Sequence, residues 1–432
     1  MSSRLIFLLF SIAVSWILAA NSGNNLAYGM AYLLSAVLAF SYFWAWSSLR
    51  GITMQRASRS RRSQVGQLTE EQFEVQNLSP LPKLWLELED FSTLPIHNPS
   101  RVISGIARHS SYRWHTRTPC VQRGRFQLGP VRMRSGDPLG IFEVSRDLAV
   151  TNSIIVYPMM LPITSFEPSI ANLSGGEARH RRTLQVTTNA SGVRDYMPGD
   201  GFNHIHWPTT ARAGRLMTKE FELDPSADIW LYLDLQRDTA TGMEWSPSAP
   251  ELNVFGLHAQ SNRASRTDIP PITTEYAVTI TATLASYFIN RDRAVGLSSQ
   301  GLSREILQPD RGERQLLKML EELAVVEAGG TLPFAQFVAS EGVRLNRNDT
   351  VIAISSDPNR EWALALHMLQ RRGVNSVAIV IDGTTFGGNG NYDPLFVELE
   401  GIGIATYHIR RQDAILDALG TRRTNARPNG KN

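Results

Sequence analysis

Between Arg4 and Arg50 the chain carries no Asp, Glu, Lys, Arg or His. Two apolar runs fill that interval, Leu5 to Ala20 and Leu26 to about Ser48, parted by the polar knot Asn21 to Asn25. A bilayer core takes about 20 apolar residues per helix, so residues 1–50 are predicted to form a transmembrane hairpin. A cleaved signal peptide is the competing reading of the first run. It needs a basic leading region and a free stretch after the cleavage site, whereas here a lone Arg4 precedes the run and a second apolar run follows it. Arg50, Arg56, Arg59, Arg61 and Arg62 crowd the exit of the second helix, and the loop between the helices is uncharged. Lys and Arg accumulate on the cytoplasmic side of a membrane. Both termini and all soluble domains are therefore expected on the cytoplasmic side of the membrane that holds the hairpin. The basic juxtamembrane segment, 51–67, could also hold anionic headgroups at about 1 kcal/mol per basic residue; a topology signal is its simpler reading.

Residues 68–160 change to short alternating runs broken by Pro, Gly and Asn. Gln72 to Val75, Leu84 to Leu88, Val102 to Ile106, Tyr112 to Thr116, Arg125 to Leu128, Val131 to Arg134 and Ile154 to Tyr157 read as strands. A β-sandwich-like domain is the natural packing, with Phe126, Leu128, Ile141 and Phe142 expected in its core. Residues 161–190 read as a linker. Cys120 is the single cysteine, so no internal disulfide forms, and no Cys/His spacing matches a zinc site. Lys+Arg 43 against Asp+Glu 40 disfavours nucleic acid as a partner.

The densest set of committed residue types is Arg194 to Glu222, RDYMPGDGFNHIHWPTTARAGRLMTKEFE. Arg194, Tyr196, Pro198, Gly199 and Asp200 form a turn, because proline presets φ and glycine tolerates positive φ. Ile205, His206, Trp207, Ala211, Arg212, Lys219 and Glu220 follow. This run resembles the hallmark of the domain-of-unknown-function 58 family, membrane-anchored bacterial proteins often encoded beside MoxR-type AAA+ ATPases. RGRFQLGP at Arg123 to Pro130 and GDPLGIF at Gly136 to Phe142 resemble it too. Asn203 departs from the family, which carries a basic residue there. From the residues alone, Arg194, Asp200, Arg212 and Glu220 are expected either to form an ion-pair network plugged by Trp207 or to dock a partner. His204 and His206, two apart, would point to opposite faces of a strand and share no metal.

Residues 191–420 then alternate apolar strands with helix-length amphipathic runs, which implies a doubly wound, mostly parallel sheet. The strands are expected at Ile229 to Asp234, Ala294 to Ser298, Val351 to Ser355, Ser376 to Ile381 and Ile404 to His408. Helices are expected at Glu275 to Asn290, Glu313 to Val326, Arg360 to Arg371 and Asp413 to Leu419. The interval 239–273 is a flexible insertion and 421–432 a disordered tail. The fold class is thus α+β multidomain. Ligands of such sheets sit beyond the carboxyl ends of the strands, where Asp234 to Asp238, Gly329 to Thr331 and Ser355 to Pro358 should converge. That set resembles the von Willebrand factor A fold and its metal-ion-dependent adhesion site. The resemblance implies a degenerate oxygen site for Mg²⁺ built from Asp234, Gln236, Asp238, Thr331 and Asp357, in which Gln236 and Asp238 replace two serines.

No phosphate loop ending in Lys-Ser/Thr occurs, and no nucleophile signature surrounds Cys120. The expected function is a membrane-anchored adaptor or assembly factor without catalysis of its own. By resemblance its partner is a MoxR-type AAA+ ATPase acting on an unspecified client. The alternatives are a metal-dependent cell-envelope enzyme and a metal-free membrane scaffold.

Overall fold

Helices α1 (Ser3–Ser22) and α2 (Asn25–Ser48) form where charge is absent. Asn24 caps the second, its side chain accepting from the Leu26 amide at 3.0 Å. Trp16 packs edge-on against Tyr28 and Tyr32 and donates to Ser35 Oγ at 3.3 Å, pairing the two helices. The core helix of a soluble protein would be mostly buried. Here Phe7, Phe10, Ile17, Leu26, Leu33 and Phe43 are exposed, an outward apolar face that water does not tolerate.

The computed structural model describes residues 3–163, 166, 190–197, 205–221, 228–246, 269–411 and 413–420. Most of the predicted linker, the turn Pro198, Gly199 and Asp200, the middle of the insertion and the tail 421–432 lie outside them. The chain divides into two units, the first built on Met1–Met159 and the second on most of the rest.

In the first unit ten strands follow the helices: β1 (Ile52–Ser58), β2 (Arg62–Gln64), β3 (Leu68–Asn77), β4 (Lys83–Asp90), β5 (Arg101–Ile106), β6 (Ser111–Pro119), β7 (Gly124–Leu128), β8 (Val131–Gly136), β9 (Glu143–Leu148) and β10 (Asn152–Tyr157). The sheets β1-β3-β6 and β5-β4-β8-β9 are antiparallel. They share one core of Ile52, Phe73, Val75, Leu86, Leu88, Ile103, Trp114, Val131 and Met133. A third sheet, β2-β10-β7, closes a smaller core around Val65, Leu94, Cys120, Leu128, Ile154 and Val156. The segment 51–67, expected as a basic connector, is itself β1 and β2. Leu49 and Ile52 belong to the sandwich core, so α2 enters the sandwich with no free linker. Lys83 Nζ donates to the Ser47 carbonyl at 2.6 Å, at the negative end of the α2 dipole, and burial alone pulls its ammonium pKa down.

In the second unit come β11 (Ala190–Asp195), α3 (Trp207–Ala213), β12 (Met217–Phe221), β13 (Ile229–Asp234), α4 (Thr273–Ile289), β14 (Val295–Gln300), β15 (Arg304–Asp310), α5 (Glu313–Val325), α6 (Phe334–Gly342), β16 (Thr350–Ser355), α7 (Glu361–Arg371), β17 (Asn375–Ile381), α8 (Asp393–Ile402), β18 (Ala405–Ile409) and α9 (Ile415–Gly420). The main sheet has the order β15-β14-β13-β16-β17-β18. All its neighbours are parallel except the edge pair β14 and β15. Period-two alternation sends Trp230, Tyr232, Val351, Ala353, Ala378 and Val380 into one core with α6, α7 and α8. Leu231, Leu233, Ile352 and Ile354 face the other way and are just as buried; α4 packs on the sheet as well. The strand order reverses between β13 and β16, so their carboxyl ends flank the crevice where ligands bind in open sheets.

Candidate functional site

All six residues of β13, IWLYLD, are buried, so its last side chain, Asp234, ends inside the protein. Asp234 Oδ1 accepts from the Gln236 amide at 2.9 Å, and Oδ2 accepts from Ser355 Oγ at 2.6 Å and Thr239 Oγ1 at 3.4 Å. Burial, offset by these hydrogen bonds and aided by the nearby Asp357 charge, pushes the Asp234 carboxyl up to about 6. Ser355 Oγ accepts in turn from the Asp357 amide at 2.8 Å. Asp357 Oδ1 accepts from the Asn359 amide at 2.9 Å and Asn359 Nδ2 at 2.7 Å, and burial raises its pKa too. Tyr392 ties this edge to the end of β17: its hydroxyl donates to the Ser356 carbonyl at 2.6 Å and accepts from the Gly383 amide at 2.9 Å. Burial pushes the phenol up to about 12.

The Gly329-Gly330 segment joins the same edge. Both amides donate to the Leu235 carbonyl at 3.0 Å, and the Arg237 amide donates to the Gly330 carbonyl at 2.9 Å. A Cβ on Gly330 would collide with the Gln300 carbonyl. Gly330→Ala is accordingly expected to cost about 1–3 kcal/mol, read as a lower melting temperature of the full chain in detergent micelles; wild-type melting would show that the segment can move aside.

The three predicted strand-end segments therefore do converge, but their side chains do not all turn inward. Asp234 and Asp357 are buried neighbours, Gln236 lies beside them, and Asp238 and Thr331 are exposed. Among the described residues no three His, Cys, Asp or Glu side chains gather as a metal site. What suits a hard cation here is the oxygen-only donor set and the buried Gln236 Oε1, which has no hydrogen-bond partner among the described residues. Asp234, Gln236 and Asp357 are the residues that would hold it.

The family-like run folds as a hairpin carrying a short helix. β11 and β12 pair antiparallel, Asp195 opposite Met217, and buried Ile205 bridges Thr218. His206, expected in a strand, stands instead at the start of the short helix. It is the N-cap of α3, Nδ1 lying 2.7 Å from Thr209 Oγ1 and 3.3 Å from the Thr209 amide. Pro208 occupies the first turn and Gly214, at φ 67, closes the helix in the left-handed region. Trp207 is 64% exposed and so does not plug a core; Met197, Leu216 and Val193 are exposed beside it in the hairpin. Both acids of the expected ion-pair network, Asp200 and the Glu220 side chain, lie outside the described residues. Arg194 donates to the Asp195 carbonyl at 3.0 Å, Tyr196 pairs through its backbone with Leu216, and Arg212 is exposed. Among the described residues Arg215 pairs with Asp195, 3.1 Å apart and in solvent. Asp200 and the side chains of Lys219 and Glu220 lie outside the described residues.

The sequence reading missed a second polar centre, buried in the first unit. Arg56 makes a bidentate pair with Glu71, Nε to Oε1 at 2.9 Å and Nη2 to Oε2 at 2.8 Å, and its Nη1 lies 3.0 Å from Asp90 Oδ2. His97 Nε2 is 3.1 Å from Glu71 Oε2 and its Nδ1 is 2.7 Å from Thr118 Oγ1. The side chains of Arg56 and His97 are 0% exposed. Burial opposes the charge on Glu71, yet hydrogen bonds from His97 and Arg56 hold its carboxyl at about 2. Burial likewise opposes charge on His97, but Asp90 and Glu71 raise its pKa above the ordinary value. Two carboxylates thus face a guanidinium and a histidine whose protonated form they favour. A signal was present: in register with Ile52 on β1 sits Arg56, and in register with Phe73 and Val75 on β3 sits Glu71, both at inward positions.

A family model described as Protein of unknown function DUF58 matches residues 192–252, the hairpin, β13 and the start of the insertion. An uncharacterized protein of Bacillus subtilis (strain 168), YeaD, is 23% identical over 349 residues, 78% of this chain and 78% of that protein. Among solved structures, the CARDB domain of PF1109 from Pyrococcus furiosus aligns with 24% of this chain and 91% of its own at 12% identity and a TM-score of 0.19. A cycloisomaltooligosaccharide glucanotransferase from Paenibacillus sp. aligns with 76% and 45% at 9% identity and a TM-score of 0.16. Scores this low carry nothing about fold or function.

Proposed function

From its membership of the DUF58 family, carried by residues 192–252, we propose that this chain is a membrane-anchored adaptor or assembly factor. It works with a MoxR-type AAA+ ATPase through a von Willebrand A-like domain and performs no catalysis itself. Two outward-facing apolar helices support the anchor. The positive-inside count supports a cytoplasmic position for the β-unit and the α/β unit. Of the arginines in that count, Arg56 is not available to lipid headgroups, since it is buried in the Glu71 pair. The mostly parallel sheet, with Asp234 and Ser355 to Asp357 flanking its switch point, supports the von Willebrand A-like reading.

Exposed Trp207 carries the docking reading. A large aromatic is held in solvent on a helix fixed at both ends by His206 and Gly214, and rigid exposed tryptophans are the residues that dominate interfaces. Trp207→Ala is expected to weaken binding of the full chain to its ATPase by about thirtyfold, on the order of 2 kcal/mol. Its melting temperature should stay that of the wild type, because the side chain packs into no core. Calorimetry with the purified ATPase reads the first and thermal unfolding the second. Undiminished affinity would remove the hairpin as the docking surface.

A further inference from the structure

We propose that the loop joining β8 to β9, Asp137–Pro138–Leu139–Gly140–Ile141–Phe142, is a membrane-contacting loop that seats Leu139 in the lipid interface. The inference rests on the bilayer reading of α1 and α2 and adds a third point of membrane contact, supplied by the β-sandwich.

Two contacts fix the depth of the loop. The Phe142 ring meets Tyr42 of α2 edge-on, centroids 5.7 Å apart, and Arg4 Nη1 of α1 lies 3.4 Å from the Gly140 carbonyl. Tyr42 precedes the last residue of α2, Ser48, by six positions, which is about 9 Å along a helix axis. A helix of 24 residues is about 36 Å long, against a hydrocarbon core of about 30 Å. With the overhang shared between the two ends, Tyr42 lies about 6 Å inside the edge of the hydrocarbon, and Phe43 is exposed near the same level. A loop that touches Tyr42 sits at that level. Arg4, at the start of α1, reaches the same surface from the other helix, its stem in the apolar layer and its head in the polar one.

The loop is built for such a place. Leu139 is 53% exposed, and Ile141 and Phe142, expected from the sequence to be core, are only partly buried. Backbone amides have no water to turn to at that depth and must be satisfied within the protein. Here buried Asp137 does it: its carboxylate accepts from the amides of Leu139 at 2.9 Å, Ile141 at 2.8 Å and Phe142 at 2.6 Å, and its carbonyl accepts from Gly140 at 3.2 Å. Pro138 has no amide to satisfy. Gly140, at φ +66, occupies the left-handed region, where any other side chain would be strained.

The test is depth-dependent quenching in the full chain reconstituted into phosphatidylcholine–phosphatidylglycerol vesicles. Buried Cys120 is first replaced by alanine, and an environment-sensitive fluorophore is attached at Leu139→Cys or, as a bilayer reference, at Leu33→Cys in α2. The label at Leu139 should emit at blue-shifted wavelength and lose about half its intensity to shallow spin-labelled lipids, with little loss to deep ones; the Leu33 label should show the reverse. Quenching at Leu33 with a water-like, unquenched label at Leu139 overturns the loop and leaves the anchor standing. No quenching at either position overturns both.

Discussion

Replacing Arg56 by alanine is expected to destabilise the N-terminal unit by about 3–5 kcal/mol, a large share of the total stability of a domain. The guanidinium neutralises two carboxylates that water cannot reach: the Glu71 side chain is 1% exposed and that of Asp90 is 3% exposed. Without it, both are stranded beside a lone His97. The measurement is thermal unfolding in detergent, followed by near-ultraviolet circular dichroism, since Trp114 stacks on Phe73 at 5.0 Å over this core. Adding Glu71→Gln and Asp90→Asn to Arg56→Ala should recover part of the loss, because the penalty comes from unpaired charge rather than lost volume. An Arg56→Ala protein that melts as the wild type does would mean the cluster contributes nothing to stability. The same cluster sets the pH response of this unit. His97 has a folded pKa above its unfolded one, so its contribution is complete below about pH 6.5 and fades as pH rises through the folded value. Glu71 runs the other way: its contribution is present above the unfolded carboxylate range and is lost only as pH falls toward about 2.

Asp234→Asn should do the opposite to the second unit and stabilise it. The folded carboxyl titrates at about 6 against about 3.9 in an unfolded chain, a difference of about 2 units or about 3 kcal/mol. A raised carboxylate pKa means the native state favours the protonated acid, so wild-type stability is complete below about pH 4 and declines as pH rises through about 6. Variant and wild type should therefore melt together at pH 4, with the variant ahead at pH 7.5 by an amount on that order. Equal melting at pH 7.5 would show that Asp234 carries its charge there at no penalty. The comparison also tests the cation reading. Mg²⁺ bound at Asp234 would raise the wild-type melting temperature at pH 7.5 and leave the variant unmoved.

What the sequence displays of this fold follows from how one-sided each segment is. β13 and β16, IWLYLD and TVIAIS, are buried on both faces and read as unbroken apolar runs, so the parallel sheet was visible. β9, EVSRDL, is an edge strand with no buried residue, and nothing in its pattern separates it from a loop. β1, ITMQRAS, was masked by its arginine, which counts as a topology signal until the strand register shows that it points inward. α6 begins after Pro333 and α8 has Pro394 in its first turn; both helices are absent from the expected set, although proline suits a helix start. At the candidate site, the convergence of three strand-end segments was legible from the placement of chain segments alone. The outward turn of Asp238 and Thr331 was not, because which way a loop side chain points depends on neighbours far away in sequence. Trp207 is the instructive miss: a tryptophan reads as core by default, yet Pro208 and Gly214 around it already spelled a short capped helix.

The absence of any slack between α2 and the sandwich decides where this protein can be cut. A soluble fragment begun at Arg62, just past the arginine cluster, would look well chosen from hydropathy, but it discards β1. The edge of β3 that Ile52 to Ser58 cover would then offer its open amides and carbonyls to any passing strand, a recipe for aggregation. The discarded piece also takes Arg56 with it, leaving Glu71 and Asp90 uncompensated in what remains. For this chain, solubility is gained by keeping residues that look like membrane flank.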